Sequence, residues 1–144
     1  MAHWAVEIFG AELKTPAGLQ PTHEVLAAKR AVLVYFCDRW CPPLSGLMES
    51  YEGHEEADVE IVFVSSDEYQ SAADYDEQCS SMPWAALLGD GAAAAGLMSR
   101  FACTGVPFLA VLDGSDGRLV CRNGRKNVER RERDLRSCLI AWGL

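Results

Sequence analysis

The stretch from Ala31 to Leu44 reads AVLVYFCDRWCPPL. Its first part, Ala31 to Phe36, is a short continuous apolar run rich in β-branched and aromatic residues, which is typical of a central β-strand covered on both faces. Two prolines follow Cys41, and proline is tolerated in the first turn of a helix, where backbone amides lack partners anyway. We therefore predict a buried strand, then a turn that carries two cysteines, then a helix.

Two more apolar runs, Val59 to Val64 and Phe108 to Leu112, predict further buried strands. The Gly and Asp cluster from Asp113 to Gly117 turns the chain into a short strand, Arg118 to Cys121, which predicts an antiparallel hairpin. Right-handed crossovers then place the ends of the first strand and the Val59–Val64 strand side by side.

Apolar residues at the spacing i, i+3, i+4, i+7 predict three amphipathic helices. They are Leu44, Leu47, Met48 and Tyr51; Ala94, Leu97, Met98 and Phe101; and Leu135, Cys138, Leu139 and Trp142. Weaker patterns predict helices over Pro21–Arg30 and Ser71–Ser80. Strands that alternate with helices indicate an α/β domain with a central mixed sheet and helices on both faces.

Composition limits the function classes. The 144 residues suit one domain, residues 1–144, and the net charge of −8 argues against binding to nucleic acid. We find neither a secretory signal nor an apolar run of about 18 residues, so we expect no membrane association and a reduced, cytoplasmic location. Six cysteines are too few for a disulfide scaffold.

Cys41 is the candidate nucleophile. A thiol between a strand and a helix lies near the unpaired amides and positive dipole end of that helix, which lower the pKa of the thiol. The alternative is a buried, unreactive side chain. A second signal is Thr104-Gly105-Val106-Pro107, because proline is tolerated in a central strand only at its start. A cis Val106–Pro107 bond would explain this proline, and a trans-proline loop is the alternative.

These residues resemble the tryparedoxin and nucleoredoxin branch of the thioredoxin superfamily over about residues 25–125. The resemblance rests on Tyr35-Phe36, Trp40-Cys41-Pro42-Pro43, Met82-Pro83-Trp84, Gly105-Val106-Pro107 and Asn123-Gly124-Arg125-Lys126. It implies a thioredoxin fold and thiol–disulfide oxidoreductase activity in cell redox homeostasis, with Cys41 as the attacking cysteine. It also implies that Trp40 shields Cys41 and that cis-Pro107 docks an extended, disulfide-containing protein client. The implied substrate-binding residues are Trp40, Pro42, Pro43, Trp84, Val106 and Pro107.

The second cysteine of the family motif is replaced by Leu44, and Ser45 stands where the family usually has arginine. Three outcomes stay open. An external thiol such as glutathione or trypanothione could resolve the mixed disulfide formed by Cys41. Cys37 could resolve it, if its Cα lies within about 7 Å of the Cα of Cys41 and its side chain does not point into the core. Otherwise the chain is a non-catalytic binding module or redox sensor.

The remaining cysteines are expected to be structural. We predict Cys121 and Cys138 in the core and Cys103 buried at a helix exit, whereas Cys79 could be exposed. We predict no cofactor and no metal, because a zinc site on Cys37 and Cys41 needs two more ligands. The three histidines, His3, His23 and His54, are not at paired spacing.

Overall fold

The computed structural model describes residues 3–38, 59–66, 71–88, 91–125, 128 and 135–144. The strands are β1 (Glu12–Thr15), β2 (Gly18–Pro21), β3 (Ala31–Cys37), β4 (Val59–Ser65), β5 (Ala85–Leu87), β6 (Phe108–Asp113) and β7 (Leu119–Cys121). The helices are α1 (His3–Phe9), α2 (Thr22–Val25), α3 (Ala72–Ser80), α4 (Gly91–Arg100) and α5 (Leu135–Trp142). None of the helices in these ranges is long and apolar enough to cross a membrane.

The strands form one mixed sheet in the order β2-β1-β5-β4-β3-β6-β7. β3 pairs in parallel with β4 and antiparallel with β6, and β6 and β7 form the predicted antiparallel hairpin. The predicted α/β class is confirmed, as are the four predicted strands and the helices α3, α4 and α5. The helix predicted over Leu44–Tyr51 lies outside the described residues.

Four elements have no counterpart in the sequence prediction, namely α1, β1, β2 and β5. In β1 only Leu13 is buried, so no apolar run marks this strand. β5 contains two alanines, which have low β propensity. The helix predicted over Pro21–Arg30 is wrong in length. α2 ends at Val25, and Ala28 has a left-handed backbone with φ of 59°, which an α-helix does not accommodate.

The central strand β3 explains why its sequence is apolar throughout. Its seven residues are all buried, and alternate side chains point to opposite faces of the sheet. Tyr35 and Cys37 belong to the first core cluster, which also contains side chains from α5 and is flanked by α3. Val34 and Phe36 belong to the second cluster, with side chains from α1 and α4. The two faces of β3 therefore have different neighbours, and this determines which functional residues meet.

Candidate functional site

The candidate site lies at one end of the central strands, where β3 ends and β6 begins. Because β3 and β4 are parallel, their carboxyl ends meet at this end, and the Ser66 amide donates to the Cys37 carbonyl at 3.0 Å. On the other side of β3, Phe36 pairs with Phe108 in the antiparallel register. Pro107 directly precedes Phe108, so the end of β3 lies beside the strand that follows this proline.

The Val106–Pro107 peptide bond is cis, as predicted. Both residues are half-buried and close the loop that leads from α4 into β6. The loop begins at Ala102, whose backbone is left-handed with φ of 52°, and the Cys103 amide donates to the Met98 carbonyl at 2.9 Å. This bonding satisfies carbonyl groups at the end of α4 and fixes where the loop starts.

Cys37, the possible resolving thiol, is only 2% exposed. Its side chain belongs to the first core cluster, which also contains Tyr35 and Trp84. The structure thus places this thiol in the core.

Trp84 lies on the same face of the sheet as Cys37. It is 5% exposed, and its ring meets the ring of Tyr35 edge-on, with centroids 6.0 Å apart. Val106, in contrast, packs against the second core cluster on the opposite face. Trp84 and Val106, which the resemblance assigns to one docking surface, therefore approach the site from opposite sides of the sheet. Their joint contact with a client stays a prediction.

Helix α3 adds a residue that the sequence reasoning missed. The Gln78 side-chain amide donates to the carbonyl of Asp38 at 3.2 Å, so α3 contacts the chain at the start of the cysteine turn. α3 is held on the sheet by Tyr75, which stacks on Phe63 at 6.0 Å and donates its hydroxyl to the Leu87 carbonyl at 2.6 Å. The apolar spacing of Tyr75, Cys79 and Met82 would have indicated which face of α3 packs inward, and Gln78 lies beside that face.

Cys79 and Cys103 are both half-buried. Cys103 is thus less buried than predicted, and Cys79, which could have been exposed, is not. Burial raises the pKa of Cys79, although a hydrogen bond with Tyr75 and the charge of Lys14 act in the opposite direction. Cys79 lines a cavity of about 340 Å³ that Met82 and Trp84 also line. Burial likewise raises the pKa of Cys103, whose Sγ donates to the Gly105 carbonyl at 3.4 Å. Both thiols are therefore less ionised at neutral pH than a free cysteine.

Core positions were predicted for Cys121 and Cys138, and the prediction is confirmed in full only for Cys138. Cys138 is fully buried, whereas Cys121 is only partly buried against the first core cluster. Within the described ranges, no group of three or more His, Cys, Asp or Glu side chains is arranged to hold a metal ion.

The four residues of the Trp-Cys-Pro-Pro turn, Trp40, Cys41, Pro42 and Pro43, lie outside the described residues, as do Leu44 and Ser45. The described part of the site therefore consists of the end of β3, the cis-proline before β6, and the α3 residue Gln78 that bonds to Asp38.

A family model described as "Thioredoxin-like" matches residues 29–119. The chain is 36% identical over 105 residues to probable nucleoredoxin 1 of Arabidopsis thaliana, covering 69% of this chain but 18% of that protein. It is 31% identical to tryparedoxin of Trypanosoma brucei brucei, covering 69% of this chain and 72% of that protein. A solved structure of tryparedoxin II complexed with glutathionylspermidine superposes with a TM-score of 0.74 at 26% identity, over 85% of this chain and 87% of that one.

Proposed function

The chain belongs to the thioredoxin-like family that includes tryparedoxins and nucleoredoxins, and from this we propose that it is a thiol–disulfide oxidoreductase with Cys41 as its nucleophile. The observation that carries the proposal is that cis-Pro107 directly precedes Phe108, the residue of β6 that pairs with Phe36 near the end of β3. Cys41 is three residues beyond Asp38, and three residues span at most about 11 Å. Covalent connection alone therefore keeps the Cα of Cys41 within about 11 Å of the Cα of Asp38.

The first step is attack by the Cys41 thiolate on one sulfur of a client disulfide. A Cys41–client mixed disulfide forms, and the second client sulfur leaves as a thiolate. The extended client strand would lie along Val106 and Pro107, the half-buried backbone edge at this end of β6. Trp40 would shield the reacting sulfur, and Pro42 and Pro43 would complete the binding surface, which Trp84, only 5% exposed, would support from the core.

The second step requires another thiol, because Leu44 occupies the position of the usual resolving cysteine. We propose that a low-molecular-weight thiol of the glutathione or trypanothione class attacks the Cys41 sulfur and releases the reduced client. A second equivalent then regenerates Cys41 and leaves as the small-molecule disulfide. A related structure, tryparedoxin II, was solved with glutathionylspermidine, which supports a thiol of this class. This chemistry suits the cytoplasm, where small thiols are kept reduced.

Cys37 is a weaker candidate for the second step. With 2% of its surface exposed and its side chain in the first core cluster, it would have to leave that cluster to reach a mixed disulfide on Cys41. A disulfide also requires the two Cα atoms to approach within about 7 Å.

The experiment is reduction of a protein disulfide such as that of insulin, with glutathione as reductant. Wild-type protein is compared with Cys41→Ser and Cys37→Ser, and with Cys121→Ser in strand β7 as a matched control. We expect turnover to be lost only in Cys41→Ser, and alkylation of Cys41 near pH 7 to be faster than that of an ordinary cysteine. Full activity of Cys41→Ser would refute the proposal.

The missing second cysteine supports one alternative, a non-catalytic binding module or redox sensor that uses the same surface. Under this alternative, Cys41→Ser binds clients as well as the wild type does, and neither protein turns over. Disulfide mapping after oxidation separates the remaining routes. Adducts of Cys41 with glutathione alone support external resolution, whereas a Cys37–Cys41 bridge supports internal resolution.

A further inference from the structure

The turn that follows β7 contacts both ends of the segment that carries the cis-proline. The Arg122 guanidinium donates to the Ala102 carbonyl at 3.1 Å, where this segment leaves α4. The Asn123 side-chain oxygen accepts a hydrogen bond from the Leu109 amide at 3.1 Å, two residues beyond Pro107. Two consecutive residues of one turn thus hold the segment 102–109 at its two ends.

Asn123 and Gly124 form the hydrogen bonds to Leu109 of β6 that a neighbouring strand would otherwise form. β7 ends at Cys121, which pairs with Val111, so the outer side of Leu109 lies beyond the end of the strand pair. There the Leu109 amide donates to Asn123, and the Leu109 carbonyl accepts from the Gly124 amide at 2.6 Å. Both backbone polar groups of Leu109 are therefore bonded to this turn.

The turn is fixed by close packing. Gly124 is buried, and a Cβ at this position would lie 2.7 Å from Cγ2 of Val111 and 2.8 Å from Cζ2 of Trp142. The Asn123 oxygen also accepts from the Arg125 amide at 3.2 Å, which holds its side chain toward Leu109. The turn is therefore held between β6 and α5 and can serve as a fixed support for its neighbours.

We propose that Arg122 and Asn123 are positioning residues that set the affinity for the protein client by fixing the backbone of segment 102–109. The inference rests on the proposed function, in which a client strand lies along Val106 and Pro107. Both side chains bond to the backbone of this segment, Arg122 at Ala102 and Asn123 at Leu109. Their loss is therefore expected to weaken client binding and to leave the reactivity of the Cys41 thiol unchanged.

The test uses Asn123→Ala, which removes the acceptor, and Asn123→Asp, which keeps an oxygen acceptor at the same place. Arg122→Ala removes the second bond, and Arg118→Ala serves as its matched control, because the Arg118 side chain is 70% exposed on the same hairpin and pairs at 3.7 Å only with Asp113 among the described contacts. All four are assayed for reduction of insulin and of a small disulfide, and for the rate of Cys41 alkylation against pH.

We expect Asn123→Ala and Arg122→Ala to raise KM for insulin several-fold, with kcat, activity on the small disulfide and the alkylation profile unchanged. Asn123→Asp and Arg118→Ala should match the wild type. The inference is overturned if Asn123→Ala and Arg122→Ala keep the wild-type KM, or if kcat and alkylation change in parallel with KM. If Asn123→Ala does not fold, the KM of Arg122→Ala, a change at an exposed residue, decides the question. Failure of the proposed function looks different, because the wild type then reduces neither substrate.

Discussion

Replacing Phe36 by leucine should weaken both stability and activity, because Phe36 connects the end of β3 to the cis-proline edge. Phe36 is fully buried, and its ring lies 5.9 Å from that of Phe108 and 6.3 Å from that of Phe101. Each aromatic pair contributes about 0.5–1.5 kcal/mol, so losing both costs about 1–3 kcal/mol. The altered shape adds up to about 1.5 kcal/mol.

The matched control is Phe9→Leu. Phe9, in α1, is 2% exposed and belongs to the same core cluster as Phe36. Its ring contacts only that of Trp4 among the described ring pairs, with centroids 6.4 Å apart. By the same estimate this single pair is worth about 0.5–1.5 kcal/mol, about half of the Phe36 value. The shape term is common to both Phe-to-Leu changes, so at about 3 °C per kcal/mol the Tm should fall by about 1.5–4.5 °C more in Phe36→Leu than in Phe9→Leu.

Unfolding in guanidinium chloride measures the stability of both variants, and insulin reduction at 20 °C measures activity while both are folded. We expect kcat/KM to fall several-fold in Phe36→Leu and to stay at the wild-type value in Phe9→Leu. Equal activity losses in the two variants would refute a specific connection between Phe36 and the Pro107 edge, as would wild-type activity in Phe36→Leu.

Three further predictions concern other parts of the molecule. Gln78→Ala removes the hydrogen bond to the Asp38 carbonyl and should change the pH dependence of Cys41 alkylation. Glu77→Ala, at an exposed position of the same helix, should not change it. Identical alkylation profiles for the two variants would contradict the role of Gln78. Burial raises the pKa of Tyr75 above its ordinary value near 10, so the folded state keeps this proton while the unfolded state loses it, and stability should fall as the pH rises above about 10. Denaturant titrations at pH 9 to 11 should show a shallower fall in Tyr75→Phe. Gly96→Ala, with nothing within 4 Å of the new Cβ, should stabilise α4 by about 0.5–1 kcal/mol. Gly114→Ala, whose Cβ would lie 2.6 Å from the carbonyl carbon of Lys29, should lower the free energy of unfolding by about 1–3 kcal/mol. Thermal unfolding measures both variants, and equal changes in Tm for Gly96→Ala and Gly114→Ala would contradict the prediction.

The buried strands could be predicted from the sequence because both of their faces are covered. β3, β4 and β6 have almost no exposed residue, so burial imposes an unbroken apolar run that is visible without a structure. The strand β2 shows the opposite case, since its residues are exposed or half-buried and its sequence carries no such run. The strand pairs at the edge of a sheet are held mainly by backbone hydrogen bonds, which leave little trace in side-chain pattern.

The candidate site was predictable only where one local stretch determines it. The cis bond before Pro107 follows from a proline at the start of a central strand, and it is confirmed. The contacts of Gln78 with Asp38 and of Asn123 with Leu109 join residues 40 and 14 positions apart. Such contacts depend on how helices and turns are placed on the sheet, and neither a polar side chain nor its spacing indicates its distant partner.

The edges of the sheet bear on association between copies of this chain. Its two outermost strands are short, with four residues in β2 and three in β7. β2 ends in Pro21, which has no amide hydrogen to donate, and the β6–β7 pairing contains a register shift between Val111 and Leu112. Short, interrupted edges are a recurrent protection against uncontrolled strand addition. The two outermost strands are therefore poor templates for an added strand, and the chain should resist edge-to-edge aggregation at high concentration.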